Sequence, residues 1–576
     1  MKFLRVLLIL SFFFYLFSFV FSTSSDFTQD LGRHLKIGEM IIKTRTIPKT
    51  NLFSYTNPNF SIINHHWLSE VLFYLSSRFL GINILIIIKT IMILFSIAIV
   101  FKLAVNKSGL IPTILSGLIL SPLLLERNDV RPEIFGYFFF SFIIYLLLTY
   151  PKNQKLIYFL PVVMFLWINI HITFVFGIFL ILLLIIKVFI TRNKNRNNLV
   201  LLYSIIFISL LVLLLNPHGL TGIIYPFNIF KNYGYTIVEN QNLFYLSKMI
   251  FNPLIKYFFF ISPVIIISLI ILATVHQLTV ALLLFVFYVL TIFQLRHLPF
   301  FILTAIPALA ISFDQILKFI TRRFTLPDNL KPLIIILLMF ILSSCSVFFI
   351  SNKYYLVFDH SKRFGLGYNG SHETAVEFVK KNNFQGNIFN NFDIGGYFIF
   401  RFYPKYKVFI DNRPEAYPVD FIGDVYKKLQ IEQPVQDKIF KKYKITTVFF
   451  NHNDQTQWAE IFIGRLLKDR NWHLVYLDPE IFMAVKDSQL KDIRDNKGIF
   501  NKMINAEKNY INLLKLSRFF SIINENKSSN EAFLKAEEIN PGSCSIKKSE
   551  FNQFIANSQF YLYKAQELKR NYWYCF

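Results

Sequence analysis

Apolar runs of bilayer length recur along this chain from Phe3 to Ser351 and then stop. The hydropathy pattern marks spans near 3–22, 82–104, 110–125, 132–149, 156–171, 172–190, 199–215, 257–274, 277–293, 298–313 and 332–351, eleven in all. Between the first two runs the pattern changes to amphipathic: 29–43 reads as a short helix, and 66–80 as a helix apolar over most of its circumference, suited to the membrane interface. After 351 the periods shorten. Helices are expected at 373–383 and 393–403, and strands at 386–391, 407–411, 446–451, 473–477 and 481–485, with a βαβ unit over 386–411. The fold class is therefore membrane: a polytopic α-helical bundle (1–351, with a first loop over 23–66), a small α/β domain (352–487) and a polar helical tail (488–576).

Composition agrees, because 54% hydrophobic and only 16% charged residues cannot be accommodated by a soluble domain of this size. The net charge of +25 does not imply nucleic acid, since the basic residues sit in short clusters beside apolar spans, where topology and anionic lipid account for them. Those clusters set the orientation. Lys102 and Lys107, Lys152 and Lys155, Lys187 to Arg196, and Lys318 to Lys331 fall on alternate connections and place the N-terminus inside. Residues 1–22 carry a basic start and an apolar core longer than that of a usual signal peptide, and are expected to remain as a span. Three cysteines give no metal spacing and no disulfide framework; a Cys544–Cys575 bridge stays open.

On this map the polar positions collect on the outer face. Asp30, His34, His65, His66 and Glu70 lie in the first outer loop, Arg127, Asp129, Arg131 and Glu133 in the second, and His171, His218, Arg296 and His297 at later outer turns. Asp30 and His34, four apart, share a helix face. Asp30 and Glu70 bring carboxylates to headgroup level, where one can serve as general base on an acceptor hydroxyl; the alternative is a pair of solvated charges. Adjacent His65 and His66 diverge by about 100° on a helix and make a poor chelating pair. Lys89, inside the second span, is either a functional charge or a buried pair. Asp411 and Arg413 follow a strand end, where α/β sheets often bind ligands, and are candidates for acceptor binding or for an ordinary salt bridge. Gly395-Gly396 fits close helix packing rather than a nucleotide fingerprint.

Asp30-Leu-Gly-Arg-His34-Leu-Lys-Ile-Gly38, Ile47-Pro48, Phe53-Ser-Tyr-Thr56 and Trp67-Leu-Ser-Glu70 resemble the first outer loop of bacterial multi-pass proteins of the type C glycosyltransferase superfamily. Arg131-Pro-Glu133, Trp167-Ile-Asn-Ile-His171, Asn216-Pro-His-Gly219, Arg296-His-Leu-Pro299, Gly395-Gly-Tyr397 and Phe409-Ile-Asp-Asn-Arg413 follow in the same order. The resemblance covers most of 25–485 and implies transfer of a sugar from a polyprenyl-phosphate donor outside the cytoplasm. It assigns catalysis to Asp30 with Glu70 beside it. A departing lipid phosphate needs fixed positive charge, so Arg127, Arg131, Arg296, His297 and Lys89 are the expected phosphate contacts, with His34, His171 and His218 in support. Snorkelling to lipid headgroups is the alternative for each cation. Relatives tend to carry Asp where this chain has Asn51, which removes a candidate second acid or metal ligand.

The expected partners are a polyprenyl-phosphate-linked sugar, membrane lipid and a glycan, lipid or protein acceptor. Ala536-Glu-Glu-Ile-Asn-Pro541 is similar to the end of a tetratricopeptide unit, so the tail would offer a surface for a protein partner. No cofactor is firmly expected, and a divalent metal requirement is left open. Two alternatives stand beside the transferase: a polymerase or ligase of surface polysaccharide, and a silent scaffold or transporter.

Overall fold

The computed structural model describes residues 2–24, 30–190, 196–230, 233–249, 252–323, 330–369, 372–492 and 498–549, with Gln566 and 569–572 beyond them. Each of the eleven apolar runs falls on a helix. Six are long enough to cross a bilayer alone, four are shorter at 10–17 residues, and the pair Leu199–Leu214 and Gly219–Phe227 bends by 104° at the Asn216-Pro217 stop. The protein is an integral membrane protein. Leu295–Arg322 is the central span, 72% buried, against 28% for Pro253–Thr274 and Leu330–Ile350 at the periphery. Aromatic contacts link the spans: Phe19 of the first helix meets Phe349 of the last at 5.2 Å, and Phe140, Phe176, Phe287 and Phe300 form one cluster at centroid separations of 4.8–6.3 Å. In a bilayer, such packing contributes the association energy that hydrophobic burial cannot supply.

Two helices at one end of the bundle match the amphipathic segments, Leu31–Thr44 and Trp67–Leu80. They cross closely at Gly38: a Cβ there would lie 2.1 Å from the Glu70 backbone oxygen. Only a residue without a side chain permits that approach.

The α/β domain sits on the same end. Its strands, β1 (Asn387–Asn390), β2 (Ile445–Asn451), β3 (Trp472–Leu477) and β4 (Ile481–Lys486), take the order β1-β2-β4-β3, with β1 and β2 parallel and the other neighbours antiparallel. Four of the five expected strands form. The expected strand at 407–411 does not join the sheet, so β2 is the parallel partner of β1. Instead Val408 exchanges backbone hydrogen bonds with the first loop, Tyr55 N–H donating to the Val408 carbonyl at 3.1 Å and Val408 N–H to the Phe53 carbonyl at 2.9 Å. The short apolar run is buried as strongly there as in a sheet, which periodicity cannot distinguish. Gly395, opening the helix Gly395–Phe402, lies against this segment; an added Cβ would be 2.5 Å from Asp411 Cα.

The helices Tyr510–Ile522 and Asn526–Ile539 of the tail share a core with the α/β domain rather than standing apart as an array. Phe519 meets Phe482 at 5.7 Å and His452 at 4.7 Å, and Lys515 pairs with Glu480. Cys345 is free, and Cys575 lies outside the described residues.

Candidate active site

A cavity of about 750 Å³ opens between the end of the bundle and the α/β domain, a size in the range of small-molecule sites. Three parts of the chain wall it. The bundle side contributes Asp30, Arg33, His34, Arg127, Arg131 and Arg296 among others; the α/β domain contributes Phe392, Asp393, Asn412, Glu415 and Asp454; and a strap over 233–240 runs between them. Tyr235 of the strap stacks on Phe392 at 3.9 Å, while Glu239 reaches the bundle arginines.

Asp30 stands at the start of Leu31–Thr44 and accepts hydrogen bonds on Oδ1 from Arg33 (2.9 Å) and from Asn412 of the α/β domain (2.7 Å). Burial acts to raise its pKa, but Arg131, Arg33 and His34 outweigh it and hold the carboxyl below its ordinary value. Asp30 is thus ionised at neutral pH. Asp393 behaves in the opposite way: burial, then the like charges of Asp454 and Asp30, push its carboxyl up to about 7. A group titrating near neutrality in a cavity is suited to proton transfer.

Glu70 is withdrawn from this cavity. It is 1% exposed, with one oxygen 2.9 Å from His34 Nδ1 and the other accepting from Asn64 Nδ2 at 2.7 Å. Glu70, expected to support Asp30, contacts His34 instead, and it is His34 that faces the cavity. Burial, reinforced by Arg33 and opposed by Glu70, lowers the His34 pKa, and burial pushes His65 down to about 3. With His66 and His171, whose rings stack at 5.1 Å, they form a wall of neutral imidazoles able to donate to or accept from hydroxyl groups. His218 supports the first loop from behind, its Nε2 accepting from the Asn64 N–H at 3.2 Å.

Of the expected phosphate contacts, Arg127, Arg131 and Arg296 converge on the cavity. Their common partner is Glu239: Arg127 and Arg131 each lie 2.5 Å from its Oε1, and Arg296 lies 4.0 Å from its Oε2. Lys89 does not reach the cavity. It is fully buried, donating to the Ser22 and Asn128 carbonyls at 3.1 and 3.2 Å, and so ties the first span to the 127–131 turn. His297 is likewise off the wall, its ring against Phe176 at 5.4 Å.

Asp411 and Arg413, the expected acceptor contacts, are instead a closed buried clasp. Arg413 donates to both Asp411 oxygens (2.7 and 2.8 Å) and to Asn51 Oδ1 (2.8 Å), and the Tyr417 hydroxyl donates to Asp411 at 3.0 Å. Asn51 also donates to the Ala416 carbonyl at 3.0 Å. Asn51, where an acid was expected from the resemblance, thus lies in the joint between loop and domain and is not among the residues of the cavity wall. Asn412, between the two clasp residues, is the one that reaches the site.

Glu239, Asp393, Asn412 and Asp454 were not singled out from sequence. Glu239 alone offered a signal, an acid in a loop on the same face as the arginines. The others reach the cavity only because the α/β domain docks.

The donor set does not fit a divalent cation. Among the described residues no three or more His, Cys, Asp or Glu side chains stand close enough to hold one, and two carboxylates of the wall, Asp30 and Glu239, are both engaged by guanidiniums.

No protein family and no curated protein shows significant similarity to this sequence. Solved structures do. The oligosaccharyltransferase from Archaeoglobus fulgidus, tethered with an acceptor peptide containing the NVT sequon through a disulfide, matches with TM-score 0.55 at 12% identity, over 86% of this chain and 75% of its own. An Archaeoglobus fulgidus oligosaccharyltransferase AglB in complex with an inhibitory peptide and a dolichol-phosphate matches with TM-score 0.53, at the same identity and coverage. ArnT from Cupriavidus metallidurans matches with TM-score 0.47 at 11% identity, over 85% of this chain and 98% of its own. At such identities the likeness is one of architecture: this chain shares the fold of that archaeal oligosaccharyltransferase.

Proposed function

We propose that this protein transfers a sugar from a polyprenyl-phosphate donor to a glycan, lipid or protein acceptor. It would sit in the cytoplasmic (inner) membrane with its N-terminus inside, and with its first loop and α/β domain on the periplasmic side. The observation that carries the reading is the convergence of Asp30 and three arginines on one cavity between bundle and domain. The AglB structure with bound dolichol-phosphate supports a lipid-phosphate donor for this fold.

In this reading the lipid phosphate lies against Arg127, Arg131 and Arg296, whose forked donors match its oxygens. The acceptor hydroxyl hydrogen-bonds to the Asp30 carboxylate and attacks the anomeric carbon. The bond from that carbon to the phosphate oxygen breaks, the polyprenyl phosphate leaves as an anion held by the arginines, and the hydroxyl proton is taken by Asp30 as general base and passed on to Asp393. The neutral histidines contact sugar hydroxyls.

Asp30→Asn is the test. The expected result is loss of glycan transfer by about 10²-fold or more, the scale of general-base catalysis, with insertion and folding intact. Unchanged transfer by a folded Asp30→Asn variant would reject the assignment. Co-purification of a polyprenyl lipid, identified by mass spectrometry and lost in Arg127→Gln, checks the donor class separately.

A further inference from the structure

We infer that Arg131, with Arg127 beside it, stands where a divalent cation would otherwise bridge Asp30 and Glu239, so that this site handles a lipid phosphate with fixed guanidinium charge and no metal. The inference rests on the donor class proposed above, but its geometry is independent of it.

The two carboxylates come from different parts of the chain, one from the first amphipathic helix and one from the strap, and both line the cavity. One guanidinium spans them: Arg131 Nη1 lies 2.5 Å from Glu239 Oε1 and Nη2 lies 4.0 Å from Asp30 Oδ2. One oxygen of each carboxylate is hydrogen-bonded, and the other faces a guanidinium at 4.0 Å. Asp30 Oδ1 accepts from Arg33 and Asn412, Glu239 Oε1 also accepts from Arg127, and Glu239 Oε2 faces Arg296. A divalent ion needs several free oxygen or nitrogen lone pairs in its shell. Here those lone pairs point at arginines, whose charge would repel the ion from the same volume. His34 Nδ1 is engaged by Glu70, His171 Nδ1 by Thr173, and His66 Nδ1 lies 3.3 Å from the Ile170 carbonyl, and among the described residues no three His, Cys, Asp or Glu side chains stand close enough to hold an ion.

This arrangement serves the same electrostatic purpose as a metal. Arg33, Arg127, Arg131 and Arg296 gather on one side of the cavity with Asp30, Glu133 and Glu239 among them, while Asp393, Glu415 and Asp454 line the opposite wall, so the positive charge for an incoming phosphate is local to the arginine cluster. Arginine keeps its charge in a site of low dielectric and presents two donors to two oxygens. Glu239 holds the three guanidiniums together until the phosphate shares them, so it sets the affinity for the donor. Phosphate binding is then indifferent to chelators.

The test uses the full-length protein in lipid nanodiscs and two probes. Mn²⁺ binding is followed by electron paramagnetic resonance, and undecaprenyl phosphate binding is measured in EDTA and in Mn²⁺. Wild type is expected to show no Mn²⁺ site that Asp30→Asn removes, and equal lipid affinity in both media. Arg131→Asp should weaken lipid binding in EDTA by about tenfold or more, as for loss of a buried charge partner, and should gain a Mn²⁺ site. A wild-type Mn²⁺ site abolished by Asp30→Asn, or lipid binding that requires Mn²⁺, overturns the inference while leaving the donor class intact. Absence of lipid binding in every medium rejects the donor class instead, and the Mn²⁺ measurement still decides the metal question. Should Arg131→Asp fail to fold, the wild-type and Asp30→Asn measurements are sufficient.

Discussion

Asp393, half-buried on the cavity wall, and Arg413, buried in the joint, show how differently two ionisable groups of one domain behave. Arg413 has its partners, Asp411 and Asn51, so removing it strands a carboxylate that is fully buried. Arg413→Met should destabilise the protein by about 3–5 kcal/mol, the usual effect of breaking a buried pair, seen as a lowered thermal unfolding midpoint. Asp393 has like charges for neighbours. Its carboxyl is raised from 3.8 to about 7, so the stability linked to its protonated form is present below pH 3.8 and is lost as pH rises through about 7. Asp393→Asn should therefore flatten the fall in thermal stability across that window, and should remove the rise in transfer rate near pH 7 that deprotonation of the wild-type carboxyl would give.

At the scale of elements, the site depends on how closely Leu31–Thr44 and Trp67–Leu80 approach. Gly38 permits the crossing that brings His34 within 2.9 Å of Glu70. A side chain at 38 meets backbone rather than a flexible terminus, so the helices must separate. Gly38→Val should weaken undecaprenyl phosphate binding and lower the unfolding midpoint together, whereas Gly423→Ala, at an open position in helical backbone, should change neither. Much of this level was legible in advance: both helices lie within two residues of their expected bounds, because amphipathic periodicity is a local signal. The 407–411 segment was not. Its apolar residues are buried against the first loop, and a run that short does not state which partner covers it.

At the scale of the whole molecule, the polar turns of the bundle, the first loop and the α/β domain all meet at one end. Sidedness follows as a measurable property. Val419→Cys, on the exposed face of the domain (48% accessible), should react with a membrane-impermeant maleimide added to spheroplasts; labelling only after lysis would reverse the orientation and with it the extracytoplasmic acceptor. Sequence alone determined the eleven apolar runs, of which six are single helices long enough to cross a bilayer, the two amphipathic helices, the more charged segment after Ser351 and the grouping of Asp30 with the arginines. Each follows from bilayer thickness, helical period or loop charge, and none needs knowledge of distant contacts. Tertiary structure decided the rest. Docking of the α/β domain turned Asp411, Arg413 and Asn51 into a buried joint and brought Asn412 and Asp393 to the cavity. Packing between helices drew Lys89, His297 and Glu70 away from it. The strap delivered Glu239 to three arginines. A charged side chain's role is set by which oppositely or similarly charged groups share its low-dielectric surroundings, and here those groups lie as many as 382 positions away along the chain.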